Sequence, residues 1–311
     1  MKPSVINRKI NAKVNDWLET IDDEALRKLL KKNIIVTGGC ITSMLLDEKV
    51  NDYDVYFKTL EATQAAAEYY IEQFSMDDTH RIRFGSDDRL ISAEVRVEDG
   101  RVSIYVASAG IAGDTVQEDY EFFELIDDDD ERESRVEGYV KAAVEIRRDG
   151  EDLTPYRPVF LTSNAITLSD GIQLVTRFYG TPAEIHRNFD FTHCKNYWCS
   201  WLKPASRLTL LKDAVICIIN RRLHYTNSKY PLASLFRTRK FLKRGWTCSL
   251  GEYLKIVFAL QSLDLTDVQV LQDQLIGMDA AYFAEIIHAI SDADIKTIDT
   301  SFIASVVDEL Y

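Results

Sequence analysis

The segment from residue 34 to residue 57 most constrains what this chain can fold into. It opens with the apolar run IIV, reaches Gly38-Gly39, and ends in NDYDVYF, where two aspartates alternate with large apolar side chains. Alternate residues of a strand project to the same face. We therefore predict a strand, a glycine turn, a short helix and a second strand that directs Asp52 and Asp54 to one point.

Paired carboxylates next to glycines favour a particular chemistry. Two carboxylates on one face repel, which raises the pKa of one of them unless a cation lies between them. Mg²⁺ suits this position because it combines few carboxylates with phosphate oxygens. Gly38 and Gly39 would let the backbone approach an anion at a helix start, with Ser43 one turn further on. This arrangement predicts a nucleoside triphosphate bridged by Mg²⁺; a plain turn beside an exposed sheet face is the structural alternative.

The remaining pattern predicts two parts. A helix at 20–33 capped by Thr20, a hairpin around Asp99-Gly100, further strands at 158–180 and a strand at 189–194 indicate an α+β domain over 1–200. Helical periodicity follows from about residue 205, so we expect an all-helical part over 201–311.

Composition narrows the class of protein. Apolar residues make up 46% of the 311 residues and charged ones 28%, which is typical of soluble globular proteins. No apolar run reaches the roughly 18 residues of a membrane span, and no signal-peptide core is present. We expect a cytoplasmic protein with no membrane partner. Its five cysteines fit no disulfide framework, and we expect them to be reduced.

Charge is distributed unevenly along the chain. The net charge is −13, yet residues 195–250 hold twelve Lys or Arg and one acid, whereas residues 114–137 hold twelve acids and two arginines. On the helix LASLFRTRKFLKR, Arg237, Lys240 and Arg244 share one face. Basic rows beside aromatics bind phosphate backbones and stack on bases, so we expect RNA or nucleotide phosphates here. The alternatives are a solvated face or a partner for the acidic loop.

The stretch GGCITSMLLDEKVNDYDVYF resembles the DNA polymerase beta-like nucleotidyltransferase superfamily, which includes poly(A) polymerases and CCA-adding enzymes. It is particularly similar to nucleotidyltransferase-like proteins of bacteriophages, as are SNAITLSDGIQLVTRFYGTPAEIHRNFDFTHC and LFRTRKFLKRGW. The resemblance implies a mixed-sheet catalytic domain in which Gly38, Gly39 and Ser43 face the nucleotide. One departure is clear: residues 43–47 read SMLLD and lack the Arg-Asp pair of CCA-adding enzymes.

The resemblance also implies a third carboxylate between apolar residues on a later strand. Asp190, between two phenylalanines, and Glu94, on the hairpin, both fit, and we prefer Asp190 because its neighbours favour burial. Asp52 and Asp54 would hold one Mg²⁺, and these two with Asp190 a second, with Mn²⁺ as a possible substitute. Arg237, Lys240 and Arg244 would hold the triphosphate.

We therefore expect a nucleotidyltransferase that moves a nucleoside monophosphate from a nucleoside triphosphate to an acceptor hydroxyl and releases pyrophosphate. The 3′ end of RNA, tRNA included, is the favoured acceptor. Two alternatives stay open: the same chemistry on a protein or small molecule, and a catalytically idle member that binds nucleic acid or a host protein.

Overall fold

A computed structural model describes residues 1–76, 82–84, 87–89, 92–98, 100–107, 155–162 and 164–265, together with residues 270 and 274. The predicted acidic loop at 114–137, most of the residues after 265 and their predicted helices lie outside these described residues. Chain order in the first quarter is helix, helix, strand, helix, strand, helix, which confirms the helix, strand, short helix and strand predicted between residues 20 and 57.

Eight α-helices occur in the described parts of the chain. They are α1 (Pro3–Glu19), α2 (Glu24–Lys31), α3 (Gly39–Leu45), α4 (Leu60–Met76), α5 (Pro182–Ile185), α6 (Lys212–Ile219), α7 (Pro231–Lys243) and α8 (Leu250–Gln261). The start of α2 differs from the prediction. Asp23, not Thr20, is its cap, because the Asp23 carboxylate accepts hydrogen bonds from the amides of Ala25 (2.7 Å) and Leu26 (3.0 Å).

Seven strands form one mixed sheet in the order β11-β10-β1-β2-β9-β8-β7. They are β1 (Ile34–Thr37), β2 (Tyr53–Phe57), β7 (Pro158–Thr162), β8 (Ala165–Leu168), β9 (Ile172–Tyr179), β10 (Tyr197–Cys199) and β11 (Leu208–Thr209). Only the β2–β9 pair is parallel. The predicted α+β class with a mixed sheet is thereby confirmed.

Four further strands make two separate hairpins in the described residues. They are β3 (Ile82–Phe84) with β4 (Asp87–Arg89), and β5 (Ser92–Glu98) with β6 (Arg101–Ala107). The second pair is the hairpin that the Asp99-Gly100 turn predicted. Gly100 lies at φ +73°, a conformation that favours glycine.

The strand predicted at 189–194 is wrong. This stretch leaves a 3₁₀ turn at His186–Asn188 and enters another at Thr192–Lys195, and only Phe191 makes an isolated bridge, to Tyr225. The amide of Thr192 donates to the carbonyl of His224 (3.0 Å) within this bridge, and pairing stops there because Thr192 already starts the second turn. The sheet strand of this region is β10, which begins three residues after the predicted strand ends.

The core lies on both faces of the central strands. Every residue of β1 is buried. On one face, α1 packs Ile6, Ile10 and Trp17 into the main apolar cluster, and the indole N–H of Trp17 donates to the hydroxyl of Tyr70 (2.6 Å). The sheet is thus a rigid support for the loops at the end of β1 and the start of β2.

The second half contributes helices α6, α7 and α8 around a separate apolar cluster that includes Ile218, Leu223 and Trp246. Strand β11 joins the main sheet eight residues beyond the expected boundary at residue 200. The boundary and the all-helical character of 201–311 stay predictions. None of the helices in the described regions combines the length and hydropathy that crossing a membrane requires.

His193 is a buried polar group inside that second cluster. Its ring centre lies 4.4 Å from that of Phe241 and 4.3 Å from that of Trp246. Neither ring nitrogen has a hydrogen-bond partner among the described residues. Burial lowers the pKa of His193 from 6.5 to about 3, so the folded protein keeps this ring neutral.

We predict that His193 makes stability depend on pH. Below pH 6.5 the unfolded chain binds a proton at His193 that the folded chain does not bind, so the free energy of unfolding falls as pH falls, by about 3 kcal/mol at pH 4. Replacing His193→Phe keeps the ring packing and removes this contribution, with no loss at pH 7. Urea unfolding of both proteins at pH 7, 5.5 and 4 measures the difference; identical pH slopes would contradict it.

Candidate functional site

The turn between β1 and α3 depends on Gly38. Its φ of +91° and ψ of −151° lie in a region that is essentially restricted to glycine. Its amide donates to the carbonyl of Cys194 (3.2 Å), which joins the turn to the segment that follows Asp190. Gly39 begins α3, and a Cβ placed there would meet no atom within 4 Å. Open space therefore lies in front of Gly39.

Buried hydrogen bonds fix the end of β1 just before this turn. The hydroxyl of Thr37 donates to the carbonyl of Asn196 (2.8 Å) and accepts from Nε2 of His186 (2.9 Å). Burial lowers the pKa of His186 to about 4, so its ring is neutral at physiological pH. The glycine turn thus starts from a strand end that cannot shift freely.

Asp54 lies in β2 directly opposite Thr37 of β1. Its carboxyl group sits against Gly38: a Cβ on that glycine would lie 3.3 Å from the carboxyl carbon of Asp54 and nearer still to its Oδ2. The absence of a side chain at Gly38 is therefore what makes room for the carboxylate.

Asp52 lies one residue before β2 and is exposed, while Asp54 is half-buried. Burial raises the pKa of Asp54 well above its ordinary value of 3.8, and the charge of Asp52 raises it further. No basic side chain in the described regions forms an ion pair with Asp54. The charge of Asp52 acts on Asp54, so the two carboxylates that the alternation pattern singled out lie within electrostatic reach of each other.

Asp190 is buried and has a basic partner. Its Oδ2 accepts a hydrogen bond from Nη1 of Arg237 in an ion pair. The neighbouring Cys194 is near both halves of the site, since burial raises the pKa of its thiol and the charges of Asp190 and Asp54 raise it further. Yet nowhere in the described residues are three His, Cys, Asp or Glu side chains grouped to hold one metal ion. The role of Asp190 as a metal ligand stays a prediction.

Glu94, the alternative third carboxylate, lies on β5. Its side chain is 54% exposed and pairs with Arg96 two residues along the same strand. Alternate residues of β5 share a face, so Glu94 and Arg96 both lie on its solvent-exposed side, which accounts for this contact. Nothing in the described residues joins it to Asp52 or Asp54.

Ser43 and Arg244 meet on the other side of the turn. Arg244 follows α7 directly, and its Nη2 donates to Oγ of Ser43 (3.3 Å) and to Oε2 of Glu48 (2.6 Å). The other oxygen of Glu48 accepts from Arg221 (2.9 Å). One carboxylate thus serves two guanidinium groups, which leaves a net positive charge beside Ser43.

Helix α7 divides its basic side chains between this site and the surface. Arg237 reaches Asp190, and Arg244 reaches Ser43, whereas Lys240 is exposed. The sequence predicted that aromatic rings of this region stack on bases, but several of them are buried. Three of them are at most 5% exposed and belong to the core, namely Tyr225, Tyr230 and Trp246.

Three further residues of the site were not predicted from the sequence. Tyr56 is two residues after Asp54 on the same strand face, and burial, followed by the charge of Asp54, raises the pKa of its hydroxyl well above the ordinary range. The alternation that selected the aspartates also selects Tyr56. No sequence pattern marks Glu48 or Arg221, because their pairing depends on the packing of distant elements.

Solved structures of CCA-adding enzymes are similar to this chain at low TM-scores. The Thermotoga maritima enzyme complexed with tRNA has a TM-score of 0.35 and 13% identity, over 89% of this chain and 53% of that chain. The Bacillus stearothermophilus enzyme in complex with CTP has a TM-score of 0.35 and 10% identity, over 93% and 52%. The chain therefore spans about half the length of these enzymes.

A curated relative shows sequence similarity. The protein "Gabija anti-defense 2" of Bacillus phage SPbetaL7 is 25% identical over 119 residues, which are 38% of this chain and 29% of the phage protein. The matched part is thus less than a third of that relative. The family model described as Gabija anti-defense 2 family protein matches residues 8–215. Because this match covers well over half of the 311 residues, the chain belongs to the Gabija anti-defense 2 family.

Proposed function

We propose that the protein is a divalent-metal-dependent nucleotidyltransferase that acts against Gabija defence in a bacterial host. It moves a nucleoside monophosphate from a nucleoside triphosphate to an acceptor hydroxyl and releases pyrophosphate. The observation that carries this proposal is the carboxylate of Asp54 seated on Gly38 beside Asp52, with no basic partner in the described residues. Family membership supports the anti-defense role.

Asp52 and Asp54 fit Mg²⁺ as a donor set. They are hard oxygen ligands, and burial together with the charge of Asp52 disfavours a negative charge on Asp54, which a bound cation would compensate. Gly38 provides the space that the carboxylate of Asp54 needs. When bound, the ion would neutralise triphosphate charge and activate the acceptor hydroxyl for attack on the α-phosphate.

The positive cluster of Arg221 and Arg244 supports triphosphate binding. Glu48 neutralises one of the two charges and holds both guanidinium groups in place. The remaining positive charge lies next to Ser43, close to the open space in front of Gly39. Such fixed donors stabilise a triphosphate by charge neutralisation and orientation.

The exposed basic surface of α7 supports RNA as the acceptor. Lys240 and Lys243 are exposed on the last turns of this helix, immediately before Arg244. An RNA backbone held there would carry its 3′ hydroxyl toward the aspartates. The buried aromatics make no contribution, so binding would depend on phosphate contacts and on salt.

A second acceptor is a protein component of the Gabija system. The observation that favours it is membership of an anti-defense family, since modifying a defence protein would disable it directly. An assay with α-labelled nucleoside triphosphate separates the acceptors: label in RNA supports the first, and label in a Gabija protein supports the second. Nucleic-acid or protein binding without any transfer would indicate a catalytically idle member.

We predict that replacing Asp52→Asn or Asp54→Asn lowers transfer by roughly 10³-fold, because each change removes charge that holds the cation. The measurement is the rate of label transfer from each α-labelled nucleoside triphosphate, with Mg²⁺ or Mn²⁺, to RNA, DNA or Gabija protein. Glu94→Gln is the matched control and keeps wild-type activity. Equal rates in wild type and the Asp54 variant would refute the proposed site.

Replacing Gly38→Ala should lower the free energy of unfolding by about 1–3 kcal/mol, because an L-residue is strained at this φ and its Cβ would collide with Asp54. Gly39→Ala is the control: its Cβ meets no atom, and alanine favours a helix start by up to about 1 kcal/mol. Urea unfolding of the wild type and the two glycine variants measures these differences in stability. Equal stability of the two variants would show that Gly38 is dispensable.

Replacing Lys240→Gln together with Lys243→Gln should weaken RNA binding and reduce the slope of log K against log salt by about 1.4, or about 0.7 for each lost single-strand phosphate contact. Filter binding over a salt series measures the slope. The control replaces Lys28 and Lys31 of α2 by Gln and should leave the salt slope unaltered. An unchanged slope in the α7 variant would place RNA elsewhere.

A further inference from the structure

Asp190 and Arg237 form the best-shielded ion pair near the glycine turn. The Asp190 side chain is 10% exposed and that of Arg237 34% exposed. The resemblance implied that this carboxylate binds a second divalent ion. In the structure the position beside Oδ2 is taken by a guanidinium group, which already supplies the positive charge that a buried carboxylate needs.

Both partners are held by their own surroundings. The carbonyl of Asp190 accepts hydrogen bonds from the amide (2.8 Å) and hydroxyl (3.2 Å) of Thr226. Arg237 projects from α7. On the packed side of this helix, Ala233, Ser234 and Thr238 are at most 1% exposed. Separating the pair would therefore require movement of a packed helix or of a bonded segment.

A second cation also acts on Asp190. Burial lowers the pKa of Lys195, while the charge of Asp190 raises it, which places the two groups in electrostatic reach. A divalent ion approaching Asp190 would meet positive charge from Arg237 and Lys195. Displacing the guanidinium would leave a partly buried charge without its partner, which is strongly unfavourable.

Asp54 presents the opposite environment. It is half-buried, it is repelled by Asp52, and no basic side chain of the described regions pairs with it. A divalent ion is therefore stabilised between Asp52 and Asp54 and disfavoured at Asp190. The described residues hold no group of three potential ligands that would combine these positions.

We propose that Asp190 is a positioning residue for Arg237 and not a metal ligand, so that one divalent ion per chain binds at Asp52 and Asp54. Arg237 then presents, from the protein itself, oriented N–H donors in place of a second ion. The role of this ion in transfer rests on the proposed function. The number of bound ions can be measured whether or not transfer is observed.

The test measures how many Mn²⁺ ions the full chain binds. The electron paramagnetic resonance signal of free Mn²⁺ reports the unbound fraction. Acidic residues 114–137 attract Mn²⁺ weakly, so the ions counted are those lost in the Asp52→Asn/Asp54→Asn variant. We expect one such ion in wild type, and the same ion, with affinity changed less than about twofold, in Asp190→Asn and in Glu94→Gln. Circular dichroism confirms that each variant is folded.

Several results would overturn the inference: no ion lost in the double aspartate variant, two ions in wild type with one missing in Asp190→Asn, or an ion missing in Glu94→Gln. If Asp190→Asn fails to fold, Asp190→Ser replaces it: an unchanged count of one ion supports the inference, and loss of that ion overturns it. A second ion appearing in Arg237→Met also supports it, because the guanidinium would have been the excluding group.

The positioning role has its own readout, the affinity for inorganic triphosphate. We expect Asp190→Asn and Arg237→Met each to weaken binding roughly tenfold, and the double variant to be no weaker than Arg237→Met alone, because both changes remove the same oriented guanidinium. Losses that multiply would contradict positioning. Bound Mn²⁺ without transfer to any acceptor would contradict the proposed function and leave the ion count standing.

Discussion

The close approach of the Asp54 carboxylate to Gly38 is the constraint on which the rest of this site depends. The carboxylate fits only because Gly38 has no side chain and adopts a conformation at φ +91° that other residues rarely adopt. The position of this glycine turn depends on the hydrogen bonds of Thr37 at the end of β1. Strand β1, the turn and the Asp54 carboxylate are therefore one unit, set in a sheet in which every residue of β1 is buried.

Charge around this unit is distributed in an uneven way that suggests separate tasks. Asp190 and Glu48 are each held by guanidinium groups from the second half of the chain, whereas Asp54 has a like-charged neighbour. The first arrangement fixes arginines in position, and the second favours a cation. Helix α7 and the residues around it thereby connect the basic half of the sequence to Asp190 and to Ser43 and Glu48 beside the glycine turn.

Local patterns predicted the parts of the fold that local physics determines. Period-two alternation located β2 with Asp54 in it and Asp52 directly before it, and the turn pair located the β5–β6 hairpin. The pattern failed at 189–194, where two phenylalanines resemble a strand but the chain makes 3₁₀ turns and a single bridge. Ion pairs such as Glu48 with Arg221 and Arg244 join residues more than 170 positions apart. No local pattern encodes such contacts, because they depend on how distant elements pack.

The central claim is that the α-phosphate, with its nucleoside, is what the protein transfers. The most direct measurement compares two labels of the same nucleoside triphosphate in the presence of Mg²⁺ and candidate acceptors. We expect label at the α-phosphate to become attached to RNA or protein and label at the γ-phosphate to be released in pyrophosphate. Attachment of the γ-label, or of neither label, would contradict it.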